Sequence, residues 1–188
     1  MEPKEWIKNI GLHLDRLTAR FPQEMINQAY KLFIFRVYEG CHDDCLQCSE
    51  RIEGEVFQEN PLAFFCKSCI EERDALNTAL RESRGIIEEE IENLTILGRK
   101  TLAENANDGK ADQGVDSGSN PSQAIVVPVS VELATKKRHE LWEIEEAIQM
   151  YELGIYGICF RCYNLIPRGR LRVAPAAKSC VICIRPIL

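Results

Sequence analysis

The sequence "CFRCYNLIPRGRLRVAPAAKSCVIC" sets two Cys-x-x-Cys pairs, Cys159/Cys162 and Cys180/Cys183, on either side of residues 163–179. The sequence "CLQCSERIEGEVFQENPLAFFCKSC" repeats that spacing, with Cys45/Cys48 and Cys66/Cys69 flanking residues 49–65. Two cysteines separated by two residues sit on one tight turn and offer both sulfurs from the same side, and a second such turn completes a tetrahedron of thiolates around Zn2+. The spacing therefore predicts two small zinc ribbons, each with a short hairpin between its ligand pairs. A four-thiolate site is closed to water and substrate, so zinc here is expected to hold a fold and not to catalyse. Two alternatives stand beside this. The cysteines could serve thiol redox chemistry, although no alternation of strands and helices of the thioredoxin kind is visible. The first quartet could also be a relic that keeps its cysteines as small apolar residues. Cys41, the ninth cysteine, stands beside His42 and reads as a partly exposed free thiol.

The two copies agree beyond their cysteines. A shift of 114 residues places Gly40 on Gly154, Ile52 on Ile166, Phe57 on Leu171, Pro61 on Pro175, Ala63 on Ala177 and Ile70 on Ile184. They differ in charge. The first carries Asp43, Asp44, Glu50, Glu53, Glu55, Glu59, Glu71 and Glu72 against Arg51 and Lys67. The second has no acid after residue 154 but carries Arg161, Arg168, Arg170, Arg172, Lys178 and Arg185. Arg168, Arg170 and Arg172 are candidate contacts for an acidic partner; ordinary solvated faces and attraction between the two ribbons are the other readings.

Between the ribbons the pattern is helical. Leu76, Leu80, Ile87, Ile91, Leu94, Thr101 and Leu102 follow a roughly heptad spacing, with Glu82, Glu88, Glu89, Glu90 and Glu92 at the other positions. Gly85 and Gly98 interrupt this helix, each at a cost of about 1 kcal/mol relative to alanine, which implies a bend or a packing reason. The segment "ANDGKADQGVDSGSNPSQ" has turn chemistry and no apolar period. Pro128 argues against a regular helix at that point. Ser130 is a candidate cap for a second helix, in which Leu141, Ile144, Ile148 and Tyr151 repeat at three- and four-residue steps until Gly154. Two such helices bury their stripes by folding back on each other. The expected fold is mainly α: a long antiparallel coiled-coil hairpin with two four-cysteine ribbons at its base and a short N-terminal helical hairpin. The corresponding segments are residues 1–40, 41–70 (acidic ribbon), 71–105, 106–129 (tip loop), 130–154 and 155–188 (basic ribbon).

Composition excludes several classes. The formal charge of −6 argues against a general nucleic-acid coat. The N-terminus lacks a basic region followed by an apolar run, and "LFIFRVY" and "AIVVPVSV" are too short to span a bilayer, so a cytoplasmic protein is expected. No paired carboxylates beside a base and no phosphate-binding glycine loop are present, so no enzyme is expected.

The stretch "AIQMYELGIYGICFRCYNLIPRGRLRVAPAAKSCVIC" resembles the DksA/TraR family of C4-type zinc-finger transcription regulators. Gly154, Tyr156, Gly157, Cys159, Cys162, Ile166, Arg170, Leu171, Pro175, Ala177, Cys180 and Cys183 carry the resemblance. It implies a protein that binds RNA polymerase directly and not promoter DNA, through a coiled coil that enters the secondary channel and brings tip acids near the catalytic magnesium. It also implies the alarmone ppGpp as a small-molecule partner. Asp108, Asp112 and Asp116 lie where the tip acids are expected, but four residues apart and not in the family's Asp-x-x-Asp-x-Ala arrangement. Tyr163 replaces the family's glycine after the second ligand, and the acidic first ribbon is additional to the family's pattern. The rival reading is a zinc-ribbon module that binds another protein or a nucleic acid through its basic ribbon; a Cys-x-x-Cys redox protein is the third.

Overall fold

The computed structural model describes residue 13 and residues 15–60, 62–108 and 121–184. Within them the chain is helical: α1 (Gln23–Tyr38), α2 (Gly54–Glu59), α3 (Lys67–Asp108), α4 (Pro121–Glu152), α5 (Arg168–Val173) and α6 (Val181–Ile184). Pairing of the β type is limited, among the described residues, to the isolated bridges Asp44–Arg51 and Ile158–Leu165. The chain divides into two compact units, one of residues 1–80 and 146–188 and one of residues 81–145.

The first unit contains both cysteine modules, and its backbone repeats almost bond for bond at the 114-residue shift. Each module is entered from a helix that ends in a Schellman turn. Gly40 N–H bonds Val37 C=O and Cys41 N–H bonds Arg36 C=O; Gly154 N–H bonds Tyr151 C=O and Ile155 N–H bonds Met150 C=O. Gly40 and Gly154 sit at φ 73° and 80°, the left-handed conformation that only glycine adopts without steric cost. Cys45 N–H then bonds Glu50 C=O, as Cys159 N–H bonds Asn164 C=O, and Leu46 N–H bonds Phe64 C=O, as Phe160 N–H bonds Lys178 C=O. The expected hairpin between the ligand pairs is instead one single-bridge turn followed by a one-and-a-half-turn helix, α2 or α5. Residues 53–60 and 167–174 close helical i to i−3 and i−4 bonds, which satisfy the backbone locally where a strand would have no neighbour.

The core of this unit is mainly apolar. Met25, Ile26, Ala29, Leu32 and Phe33 are the buried face of α1, and Leu62, Phe64, Phe65, Tyr156, Ile158, Ile166 and Leu171 are buried in the two modules. The first helix of the expected N-terminal helical hairpin lies mostly outside the described residues; residues 15–18 are helical and lead to α1 through the turn at Phe21.

In the second unit α3 and α4 run antiparallel. Lys137 Nζ pairs with Glu90 Oε2 at 2.9 Å, Arg84 lies 3.9 Å from Glu145, and a Cβ on Gly98 would lie 3.2 Å from Ser130 Oγ. Gly98 thus has the packing reason that its cost required, whereas Gly85 meets nothing within 4 Å. Ile87, Thr101, Ala134 and Ile144 form the buried seam, but Leu102 faces solvent. α4 begins at Pro121 and passes through Pro128, upstream of the expected cap at Ser130. Proline suits a first helical position, since its missing N–H has no partner there in any case. Pro128 deprives one carbonyl, a turn earlier, of its donor without ending the helix. Among the described residues no helix is long and apolar enough to cross a membrane.

The glycines give a graded test. Gly40 (φ 73°) has nothing within 4 Å of a would-be Cβ, so Gly40→Ala adds only backbone strain, about 1 kcal/mol. At Gly157 (φ 75°) the same Cβ would lie 3.1 Å from both Arg73 and Leu171, so Gly157→Ala is expected to cost about 2 kcal/mol or more. Urea denaturation of the two metal-loaded variants measures the difference; equal losses would mean that the crowding at Gly157 carries no energy.

Candidate metal centres

Each predicted quartet is brought together. The sulfurs of Cys45, Cys48, Cys66 and Cys69 lie within 4.8 Å of one another, and so do those of Cys159, Cys162, Cys180 and Cys183. Cys48 and Cys66 Sγ are 3.7 Å apart, and Cys162 and Cys180 Sγ are 3.8 Å apart. A tetrahedron with metal–sulfur bonds of about 2.3 Å has edges of about 3.8 Å, so this spacing fits Zn2+. All nine cysteines are free thiols, and Cys41 stays outside both quartets.

The turns also prepare the sulfurs for ionisation. Burial opposes ionisation of Cys159, but the N–H groups of Cys162, Cys180 and Arg161 aimed at its sulfur win and lower its pKa to about 6. Cys45 is brought down to about 7 in the same way, against its burial, by the N–H groups of Cys48, Cys66 and Gln47. The fourth ligand of each set resists. Cys183 is pushed up to about 12, chiefly by hydrogen bonding with the sulfurs of Cys180 and Cys162, and Cys69 is raised by burial and its neighbouring sulfurs. Four thiols this close cannot all ionise on their own; a dication at the centre favours all four thiolates together.

The residue after the second ligand takes the left-handed conformation in both copies, Ser49 at φ 61° and Tyr163 at φ 60°. This is the position where the resemblance has glycine. Tyr163 accepts the strain, of order 1 kcal/mol, and packs its ring 5.2 Å from that of Phe35.

Two buried arginines that sequence reasoning missed tie the unit together. Arg36 is 3% exposed and donates through Nη2 to the carbonyls of Cys41 and Asp44, which holds the first module against α1. Arg73, 6% exposed, lies 4.0 Å from the Phe65 ring centroid and donates through Nη2 to the Tyr156 carbonyl. It therefore links the helix that leaves the first module to the entry turn of the second. The repeat held a signal for one of them: Arg36 aligns with Met150, a charge where the other copy has a buried apolar side chain.

The predicted basic contacts are not equivalent. Arg168 pairs with Glu72 at 3.3 Å, so part of the opposite charge of the two modules is spent between them. Gln47 donates to the same carboxylate at 2.8 Å, and the pair rims a cleft of about 400 Å³ floored by Leu165, Pro167 and Leu171. Arg170 Nε bonds the Ser179 carbonyl at 3.0 Å inside its own module, while Arg172 is exposed. Of the tip acids, Asp112 and Asp116 lie outside the described residues, and Asp108 is the last residue of α3.

No family model matches the chain. It is 40% identical to an uncharacterized protein of Aquifex aeolicus (strain VF5) over 58 residues, 31% of this chain and 37% of that protein's length. Among solved structures it is similar to the transcription factor DksA2 from Pseudomonas aeruginosa, with a TM-score of 0.50 and 20% identity over 60% of this chain and 80% of that one. The fold is thus DksA-like, and each of the two four-cysteine clusters could hold a metal ion.

Native mass spectrometry is expected to find two zinc ions per chain. Cys48 is exposed, whereas every ligand of the second quartet is buried or half-buried. Release to a chelator should therefore be biphasic, with the fast phase lost in Cys48→Ser and the slow phase in Cys159→Ser. A metal count of one would reduce the first quartet to a relic, and a single phase at a count of two would mean that the exposure of Cys48 does not govern release.

Proposed function

We propose that this protein is a transcription regulator that acts on RNA polymerase through the α3/α4 hairpin, with zinc as scaffold in both cysteine modules. The observation that carries this reading is the arrangement of a long antiparallel helix pair between two four-cysteine modules, in a fold similar to that of transcription factor DksA2. At about 1.5 Å per residue, the 42 residues of α3 make a rod of about 63 Å. A helix pair of this length suits insertion into a channel, and its apolar seam stiffens it. The formal charge of −6 favours a protein partner over free nucleic acid.

In this reading the protein is a non-enzymatic cytoplasmic factor. It brings Asp108, Asp112 and Asp116 toward the polymerase's catalytic metal, where added negative charge changes the local field strongly, and ppGpp is its small-molecule partner. The modules do no chemistry of their own, since a four-thiolate metal has no open coordination position.

The test separates binding from effect. Changing Asp108, Asp112 and Asp116 together to Asn alters surface charge and should leave folding within about 0.5 kcal/mol. The triple variant is expected to co-purify with RNA polymerase like the parent and to lose its effect on transcription in a purified assay. Normal regulation by the variant would end the acidic-tip mechanism, and failure of the parent to bind polymerase would move the interaction-module reading ahead.

A further inference from the structure

The second module exposes aliphatic side chains that its fold does not require. Val173 at the end of α5 is 87% exposed, and Ile182, Ile184 and Val181 on α6 are 84%, 54% and 43% exposed. The first module is an internal control. At the same positions of the same backbone it carries Glu59, Ser68, Ile70 and Lys67, and these are exposed too. The fold therefore fixes the exposure and leaves the side chain to choice. One copy makes the solvated choice at three of the four positions, while the other places Val173, Ile182 and Val181 in water. Val181, Ile182 and Ile184 share the single turn of α6, and aliphatic side chains clustered at a surface mark interaction sites.

The surrounding charge identifies the occupant. Arg161 Nη1 donates to the Cys183 carbonyl at 2.6 Å, which fixes a guanidinium on the α6 turn that carries Ile182 and Ile184. Arg170 Nε to Ser179 O, 3.0 Å, fixes α5 to the entry of α6. Arg172 stands exposed next to Val173. No acid occurs in the module, and among the described residues Glu72 and Glu146 reach it from outside to pair with Arg168 and Lys178. Nucleic acid fits this surface poorly. Single strands are held by stacking on aromatic rings, whereas Tyr163 packs on Phe35 and the exposed side chains here are aliphatic.

We propose that the α5–α6 face of the second module, Val173, Val181, Ile182 and Ile184 framed by Arg161 and Arg172, is a docking surface for an acidic protein segment that carries aliphatic side chains. This surface belongs to the first unit, and the inference does not depend on polymerase as the partner. The aliphatic side chains supply burial, and the two arginines select acidic over basic partners and speed encounter.

The repeat supplies the test variant, since Val173→Glu, Val181→Lys and Ile182→Ser install the residues that the first module already tolerates. Metal-loaded full-length protein is used to select from a displayed random peptide library, and recovered peptides are titrated against parent and variant. The expected peptides combine Asp or Glu with Leu, Ile or Val. They should bind the variant at least about tenfold more weakly, a loss of about 1.4 kcal/mol, and bind the parent more weakly as salt is raised. Zinc content and thermal midpoint check that the variant is folded, and Ile182→Ser alone serves in its place if it is not. Selection of neutral or basic peptides, no selection at all, or equal binding to the variant would overturn the proposal. So would a DNA duplex that binds the parent and is lost in the variant while the peptides are indifferent.

Discussion

Four sulfurs held within 4.8 Å of one another, twice, are the constraint on which the first unit depends. Each module has about thirty residues, a single β-bridge and a helix of six residues between its ligand pairs. A segment this small buries too little apolar surface to offset its conformational entropy, and modules of this size usually need a metal or a disulfide. With free thiols, the metal is the available closure, and its binding energy is then folding energy. The N–H groups aimed at Cys45 and Cys159 show how the turns serve that end. The same bonds that shape the turn favour the thiolate that a dication requires.

Metal closure explains each module but not why the two stay together. That role falls to Arg73, whose position is over-determined. Its guanidinium lies on the Phe65 ring of one module, bonds the Tyr156 carbonyl of the other, and fills the space that a side chain at Gly157 would need. Burial lowers its pKa, but nothing near it stabilises the neutral form enough to make an arginine give up its proton. A buried guanidinium is costly unless its donors are used, so the contact is specific: another long side chain would fill the space and leave the Tyr156 carbonyl without its donor. The Glu72–Arg168 pair is of a different kind. Both side chains are half exposed, and such pairs contribute at most about 1 kcal/mol. It orients the modules more than it holds them.

What the sequence revealed follows from the range of the interactions involved. Ligand spacing, the 114-residue repeat and the helical stripes are local patterns, and they predicted the quartets, the repeated backbone and the antiparallel helix pair. The inter-ligand segments were harder. Both "GEVFQE" and "RGRLRV" are too short to display a period, so a helix of six residues is indistinguishable from one arm of a hairpin. The start of α4 was misplaced because Pro128 was weighed as a breaker, while a helix of 32 residues tolerates one missing bond near its beginning. Arg73 was invisible for another reason, and Arg36 nearly so, apart from its alignment with Met150. Their partners are backbone carbonyls and a ring, chosen by tertiary proximity, and a lone arginine on a helix reads as a solvated one.

Duplication changes how this chain can be read, because it allows the fold's demands and the function's demands to be separated within one molecule. Positions that agree between copies, such as the cysteines, Gly40 and Gly154, Ile52 and Ile166, serve the backbone that both copies share. Positions that differ cannot be required by that backbone. At Arg36 and Met150 the difference is structural, since both are buried and each copy packs against different neighbours. At Glu59 and Val173, or Ser68 and Ile182, both residues face solvent, so packing cannot account for the change. The two surfaces differ in kind. The first module, which leads into α3, is acidic and polar at its surface and supplies Glu72 to its neighbour, whereas the second is basic with aliphatic side chains exposed. These solvent-facing differences are open to function in a way that the shared positions are not.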